Sequence, residues 1–508
     1  MKKCNAAIID YFIITVLLGI VAAMLYVFAI ANIFHYTAHI EADIASESLL
    51  TEVIYTNGYV QPDTWCASTT RRIISVPNFA AFIYPFVGYD SNLATGITCT
   101  FMMVIMLALL LWFLRKIGID LIASLTALIV LFSVTSPADE SQRMVFLYAS
   151  YYVSHVITML IVLMIYKSFI ENDRVKLLPL LLSFVIAMLN GMQGLHAFMF
   201  CYFPIIIIEI VRRLACLISR SKQPDYGVLF WALAVNAITL LTTKLTSANN
   251  VGTSRNIRHA LEKFVQEVCP TIYKTLPFER MPIMATLFVI VAVVGYVIAF
   301  RTIIKKDMQK ARYWSALCFL VGFLVCVLLT TFTTFDVAGR YYLMIIYAIS
   351  IGVAFIMSHT RRIVRYFVIG IAIVSSIISI KDFYNNLIIG DYSKNSSYYA
   401  ISKWMEDKKY SYGYSTFDFS NPITVMNNNG VKVRAVTNMK DLEGLKWLSD
   451  SSWYPPIKSS DGETCYIVSA ARKDEFNAFL ETQKPIIICT HEIDDFMIYV
   501  LNQDYTEW

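Results

Sequence analysis

Apolar residues occur in blocks rather than in the short alternations of a soluble domain. Runs of about 20 residues, the length a helix needs to cross the hydrocarbon core, lie near 11–33, 97–114, 118–134, 144–166, 195–211, 226–243, 283–300, 314–332, 341–358 and 363–380. A shorter run at 177–189 is joined to the next by the turn-rich stretch from Asn190 to Gly194, so it reads as one arm of a tight hairpin. The pattern predicts a polytopic α-helical membrane protein with about eleven transmembrane helices. The stretch VPNFAAFIYPFVG, 76–88, is apolar but short and is split by Pro77 and Pro85. It is expected to lie at an interface or to be re-entrant, since broken backbone is tolerated only beside protein or water.

After residue 380 the periodicity shortens. YGYSTF (412–417), VKVRAV (431–436), CYIVSA (465–470), PIIICT (485–490) and FMIYVL (496–501) read as strands. Ser396 to Lys408 and ARKDEFNAFL (471–480) read as helices. The division expected from composition is therefore a multi-span region over 1–380, with long outer loops at 34–96 and 244–282, and an extracytoplasmic α/β domain over 381–508.

Composition agrees with the block pattern. Of 508 residues 57% are hydrophobic and only 16% charged, and the mean hydropathy is +0.57, which is too apolar for a soluble multidomain protein. The net charge of +5 is distributed by topology and gives no reason to invoke nucleic acid. Basic residues favour short cytoplasmic connections. With Lys2 and Lys3 inside, alternate connections carry Arg115 and Lys116; Lys167, Arg174 and Lys176; Arg212, Arg213, Arg220 and Lys222; Arg301, Lys305, Lys306, Lys310 and Arg312; and Arg361, Arg362 and Arg365. This parity places the amino terminus inside and the terminal domain outside. The first run follows only MKKCN and lacks an obvious small-residue cleavage site, as an uncleaved signal anchor would. The ten cysteines form no CxxC or Cys/His cluster, so spacing signals no zinc site. Cys66 with Cys269, and Cys465 with Cys489, are pairs that an oxidising compartment would permit.

Polar residues from separate segments fall on the side assigned to the outside. They are Glu41, Asp43 and Glu47 after the first run, with Thr70, Arg71 and Arg72 in the same loop; Asp139, Glu140 and Arg143; Gln193 and His196; Arg255 and Arg258; and Asp336 and Arg340 in FDVAGRYY. One outward-facing cavity is expected to collect them. If 39–52 is helical, His39, Asp43 and Glu47 share a face and Glu41 points about 200 degrees from Asp43. Such acids suit a general base, which needs a carboxylate within hydrogen-bond reach of an attacking hydroxyl; they equally suit an interfacial helix with solvated acids. Arg340, between Gly339 and Tyr341, suits a phosphate clamp or an arginine snorkelling in an aromatic belt. Arg255 and Arg258 lie on NVGTSRNIRHALEKF, read as a surface helix, where solvated loop charge is the plainer account; His196 reads first as a packing residue. No P-loop, HExxH, GxSxG or Rossmann fingerprint stands in a convincing context.

Taken in order, these features resemble the GT-C superfamily of bacterial membrane glycosyltransferases, the polyprenyl-phosphate-sugar-dependent type related to protein mannosyltransferases and aminoarabinose transferases. The likeness rests on EADIASE after the first span, TEVIYTNGYVQP following it, GRYY (339–342) before a late span, and a closing soluble domain with YGYSTFDFSNPITVMNNNGVKVRAV and KWLSDSSWY. The resemblance implies a bacterial cytoplasmic membrane protein that moves a sugar from a polyprenyl phosphate to a glycan, lipid or protein acceptor of the cell envelope, with inversion. Membrane lipid is a further partner, and nucleic acid is not one. Asp43 or Glu41 would be the base; Arg340, aided by Arg255 or Arg258 and by Tyr341 beside it, would hold the departing phosphate. His196 would assist when protonated. No metal is required when the leaving group is already a carrier phosphate, although Glu41 and Asp43 also read as an ExD pair for a divalent ion. The alternative, a polytopic transporter or lipid-linked-sugar flippase, calls for charged residues or broken helices at the midplane and an internal repeat; neither stands out.

Overall fold

A computed structural model describes residues 2–68, 71, 73–135, 145–147, 152–246, 254–255, 257–305, 311–454 and 462–507. Thr70, Arg72, Asp139, Glu140 and Arg143 lie outside the described residues. The chain divides into two compact units: Met1–Ile30 with Cys99–Asn385, and Ala31–Thr98 with Asn386–Trp508. The first long loop thus joins the terminal region in one unit, where composition groups it with the spans.

The first unit is helical. Among the described residues, eight helices are long and apolar enough to cross a membrane: Ala7–Phe34, Ser91–Lys116, Val153–Asn172, Tyr226–Thr246, Pro282–Ile304, Tyr313–Phe332, Gly339–His359 and the helix that starts at Arg362. The chain is accordingly a multi-pass helical membrane protein. The other three expected spans are also helical but fall short of the criterion. Leu121–Ser133 and Leu177–Met192 are shorter apolar helices. The run at 195–211 continues as a π-turn (Phe198–Tyr202) and the helix Phe203–Ile218, which takes Glu209, Arg212 and Arg213 into its length. The basic connection expected to begin at Arg212 therefore begins after Ile218.

Close helix contacts use small residues. A Cβ on Gly295 would stand 1.8 Å from the Gly352 carbonyl oxygen, so Pro282–Lys305 and Met344–His359 meet backbone to backbone. Gly194 ends the 177–192 arm with φ +99, a left-handed conformation that L side chains resist. Phe28 packs on Phe132, Phe146 and Phe383 with ring centroids 4.9–5.7 Å apart, which fills the space between four segments distant in sequence.

The second unit is α/β. Strands β1 (Trp65–Cys66) and β4 (Ser449–Asp450) pair antiparallel, with Trp65 opposite Asp450. The main sheet comprises β2 (Tyr412–Thr416), β3 (Lys432–Val436), β5 (Thr464–Ser469), β6 (Ile487–Ile493) and β7 (Phe496–Leu501) in the order β3-β2-β5-β7-β6. The β3-β2-β5 half is parallel and the β5-β7-β6 half antiparallel. Alternation along the strands sends Tyr414, Val436, Tyr466 and Val468 to one face, packed with Phe476 and Phe479 of the helix Lys473–Gln483. Val433, Cys465, Ile467 and Ile498 go to the other face, against Ile401 and Met405 of Ser397–Asp407 and Ile423 of Phe417–Val425. Helices on both faces explain why β5 is buried along its whole length.

Cys465 and Cys489 both register on Val500 of β7, from opposite sides. Two strand spacings, about 10 Å, separate them, which is beyond disulfide reach. They are free thiols, as are Cys66 and Cys269, so neither of the permitted pairings is formed.

Candidate functional site

The acidic segment is not a continuous helix over 39–52. Tyr36–His39 is a 3-10 turn, Ile40 and Glu41 are extended, and the α-helix starts at Ala42 with Glu41 as its N-cap. His39 is thus off the helix, and the expected His39, Asp43, Glu47 stripe loses its first member. The angle of about 200 degrees expected between Glu41 and Asp43 also fails, because Glu41 has left the helical register. Asp43 stands half-buried in the first turn, where the helix dipole favours an anion, and Glu41 is exposed. Glu47, one turn further, is 1% exposed.

In the helical unit, residues from distant segments gather around Gly339–Tyr342, a 3-10 turn that leads into Met344–His359. His196 stacks on Tyr341 with centroids 6.3 Å apart and planes at 18°, and its Nε2 is 3.5 Å from the Tyr152 hydroxyl. The Arg340 guanidinium lies 5.7 Å from the Tyr341 ring centre. Phe335 closes on Tyr341 at 4.8 Å. Arg255 pairs as an isolated bridge with Thr333, and Lys263 donates to the carbonyls of Thr333 (2.9 Å) and Phe335 (2.6 Å). Arg255 and Arg258 are both exposed and precede the helix, which starts only at Ala260. The surface helix expected to carry them is therefore absent: one arginine is extended and the other is in a turn. Thus His196, Tyr341 and Arg340 come together; Arg255 adjoins the strand-like approach to them; Arg258 has no described partner in the group. Glu41 and Asp43 belong to the other unit.

Sequence reasoning missed a polar cavity in the α/β unit. A space of ≈ 240 Å³ is lined by Glu52 from Ala42–Thr56, Thr424 from Phe417–Val425, Asn429 from the following turn, Lys432 and Arg434 from β3, and Trp453. Asn429 donates to Glu52 at 2.6 Å, which ties the first loop to the sheet. Arg434, 5% exposed, lays its guanidinium 3.8 Å over the Trp453 ring. Burial, partly opposed by Tyr412, Tyr454 and Glu52, lowers its pKa. VKVRAV carried no signal for the cavity: alternation sets Arg434 on the face of Lys432, opposite Val431, Val433 and Ala435, which reads as a solvated face.

Among the described residues, no group of three or more His, Cys, Asp or Glu side chains is placed to hold a metal ion. Compared with known proteins, the chain matches no family model and no curated protein.

Proposed function

We propose that the chain is a membrane glycosyltransferase of the GT-C type, which moves a sugar from a polyprenyl phosphate to a cell-envelope acceptor. The observation that carries this reading is Asp43: a half-buried carboxylate in the first turn of the helix that follows the first apolar span. It is sheltered enough to interact strongly and open enough to meet a substrate. In the proposed reaction the acceptor hydroxyl oxygen bonds to the anomeric carbon, its proton passes to Asp43, and the sugar–phosphate bond breaks with its electron pair leaving on the carrier. Direct displacement inverts the anomeric centre. In the helical unit, Arg340 beside Tyr341 is the candidate for the phosphate-binding role that the resemblance implies. A divalent ion held by Glu41 and Asp43 is an alternative use of these acids, because a carboxylate bound to the ion would not be free to take the acceptor's proton.

The test is transfer of labelled sugar from a polyprenyl-phosphate donor in membranes carrying the protein. Asp43→Asn should lower the rate about 10²–10⁴-fold, the usual contribution of a general base, and Arg340→Ala should do the same while both variants still reach the membrane. Full transfer by both would sink the residue assignment, and surface glycans unchanged by deletion of the protein would sink the reading.

A further inference from the structure

We propose that the cavity between the Ala42–Thr56 helix and β3 binds an anionic polyol: a small hydroxylated molecule, or the end of a larger one, that carries a phosphate or carboxylate. The inference rests on the cavity alone and stands whether or not the chain transfers sugars.

Charge comes first. The lining holds two cations, Lys432 and Arg434, against one carboxylate, Glu52, which is already engaged by Asn429 at 2.6 Å. Burying a guanidinium is costly unless acceptors meet its donors. The Tyr412 hydroxyl accepts from the guanidinium, but Nε and Nη1 of Arg434 are buried and have no acceptor of their own. The face of the group is spoken for by Trp453 at 3.8 Å, which fixes the plane and leaves its edges to bind. Trp453 is itself held, edge-on to Trp65 at 5.6 Å, and its carbonyl accepts from the Tyr412 hydroxyl. A planar, preoriented guanidinium with open donors is the arrangement that recognises a phosphate or carboxylate.

The hydroxyl requirement comes from Asn429. Its amide nitrogen faces the Glu52 carboxylate, which accepts only, and this fixes the orientation of the amide. Its Oδ1 is buried without a donor. Thr424 offers nothing further, since its one hydroxyl hydrogen is taken up by the carbonyls of Ser420 and Val433 and its oxygen accepts from the Val433 amide. The protein therefore leaves Nε and Nη1 of Arg434 without an acceptor and Oδ1 of Asn429 without a donor, and a molecule with an anionic group and a hydroxyl supplies both.

The full chain in detergent is titrated with glycerol 3-phosphate, gluconate and, as the neutral control, glucose, and binding is read by calorimetry and by the unfolding temperature. At least one of the two anions should bind saturably and raise the unfolding temperature, with glucose inert; which anion binds decides between phosphate and carboxylate. Lys432→Ala, at an exposed position, should weaken that binding about tenfold, the loss of one charge-assisted hydrogen bond. Arg434→Gln should abolish it, and if that variant does not fold, Lys432→Ala and Asn429→Ala decide the matter. Binding by neither anion, glucose binding as tightly, or affinity unchanged in the Lys432 and Asn429 variants would overturn the proposal.

Discussion

Arg212 donates from Nε and Nη2 to the Glu209 carboxylate at 2.9 and 2.8 Å, and both side chains are 0% exposed. The Tyr166 hydroxyl adds a third bond to the same carboxylate at 3.1 Å, so a helix rich in isoleucine carries a fully enclosed ion pair. Arg213 Nε also stands 3.2 Å from this carboxylate, so removing Glu209 takes a buried anion from two guanidiniums at once. Glu209→Ala should cost about 3–5 kcal/mol, whereas Glu209→Leu combined with Arg212→Met should recover most of that loss. Thermal unfolding of the purified protein measures both; a double variant as unstable as the single one would show that the pair's shape, not its charge balance, matters.

The meeting of Gly295 with Gly352 predicts a steric effect with no charge involved. Gly352 faces Ala292, and a Cβ there would fall 2.7 Å from its backbone. Gly352→Leu should force the two helices apart and destabilise the protein by about 1–3 kcal/mol or more. Gly370, where an added Cβ would meet no neighbouring segment within 4 Å, is the control: Gly370→Leu should be nearly silent. Equal losses at both sites would refute the close-packing account.

In the α/β unit Glu475 predicts a pH effect. Burial alone would raise its pKa, but the Met439 amide at 3.1 Å and the Arg472 guanidinium outweigh it and hold the carboxyl below the usual glutamate range. A depressed native pKa means that the unfolded state binds the proton first. The stabilisation is therefore full above the ordinary glutamate value and is lost as pH falls through the lowered native one. Glu475→Gln should flatten that part of the stability profile between about pH 5 and 3, read by denaturant unfolding at a series of pH values. The wild-type slope persisting in the variant would assign it to another group.

Asp504 gathers two tyrosines of the sheet. It accepts from Tyr414 at 2.7 Å and from Tyr466 at 3.3 Å, while the Thr506 amide donates to it at 2.8 Å. Tyr414→Phe removes the shortest of these within the core and should cost about 1–2 kcal/mol. Asp504→Ala should cost more, because it leaves two buried hydroxyls without their acceptor. Denaturant midpoints of the two variants test the order, which fails if Tyr414→Phe is the more damaging.

What the sequence determined was local. Apolar runs and strand alternation depend on near neighbours, so FMIYVL appears as β7 over 496–501 and Ser396 to Lys408 as the helix Ser397–Asp407. The apolar stretch at 76–88, for which no helix was expected, forms short helical turns, with Phe79, Phe82 and Phe86 outward and Ala80 and Ala81 inward. Helix starts within polar segments were less legible. The helix Phe417–Val425 contains Pro422, a residue that argues against helix, and the 39–47 segment changes from 3-10 to extended to α within a few residues. Only the tertiary structure decided that 31–98 folds with the terminal region, that His196 stacks on Tyr341, and that Arg434 faces Trp453 and Glu52 across a cavity. Periodicity records which side of an element is apolar, but not which distant element covers it; those pairings are set by long-range packing and by the need of each buried charge for a partner.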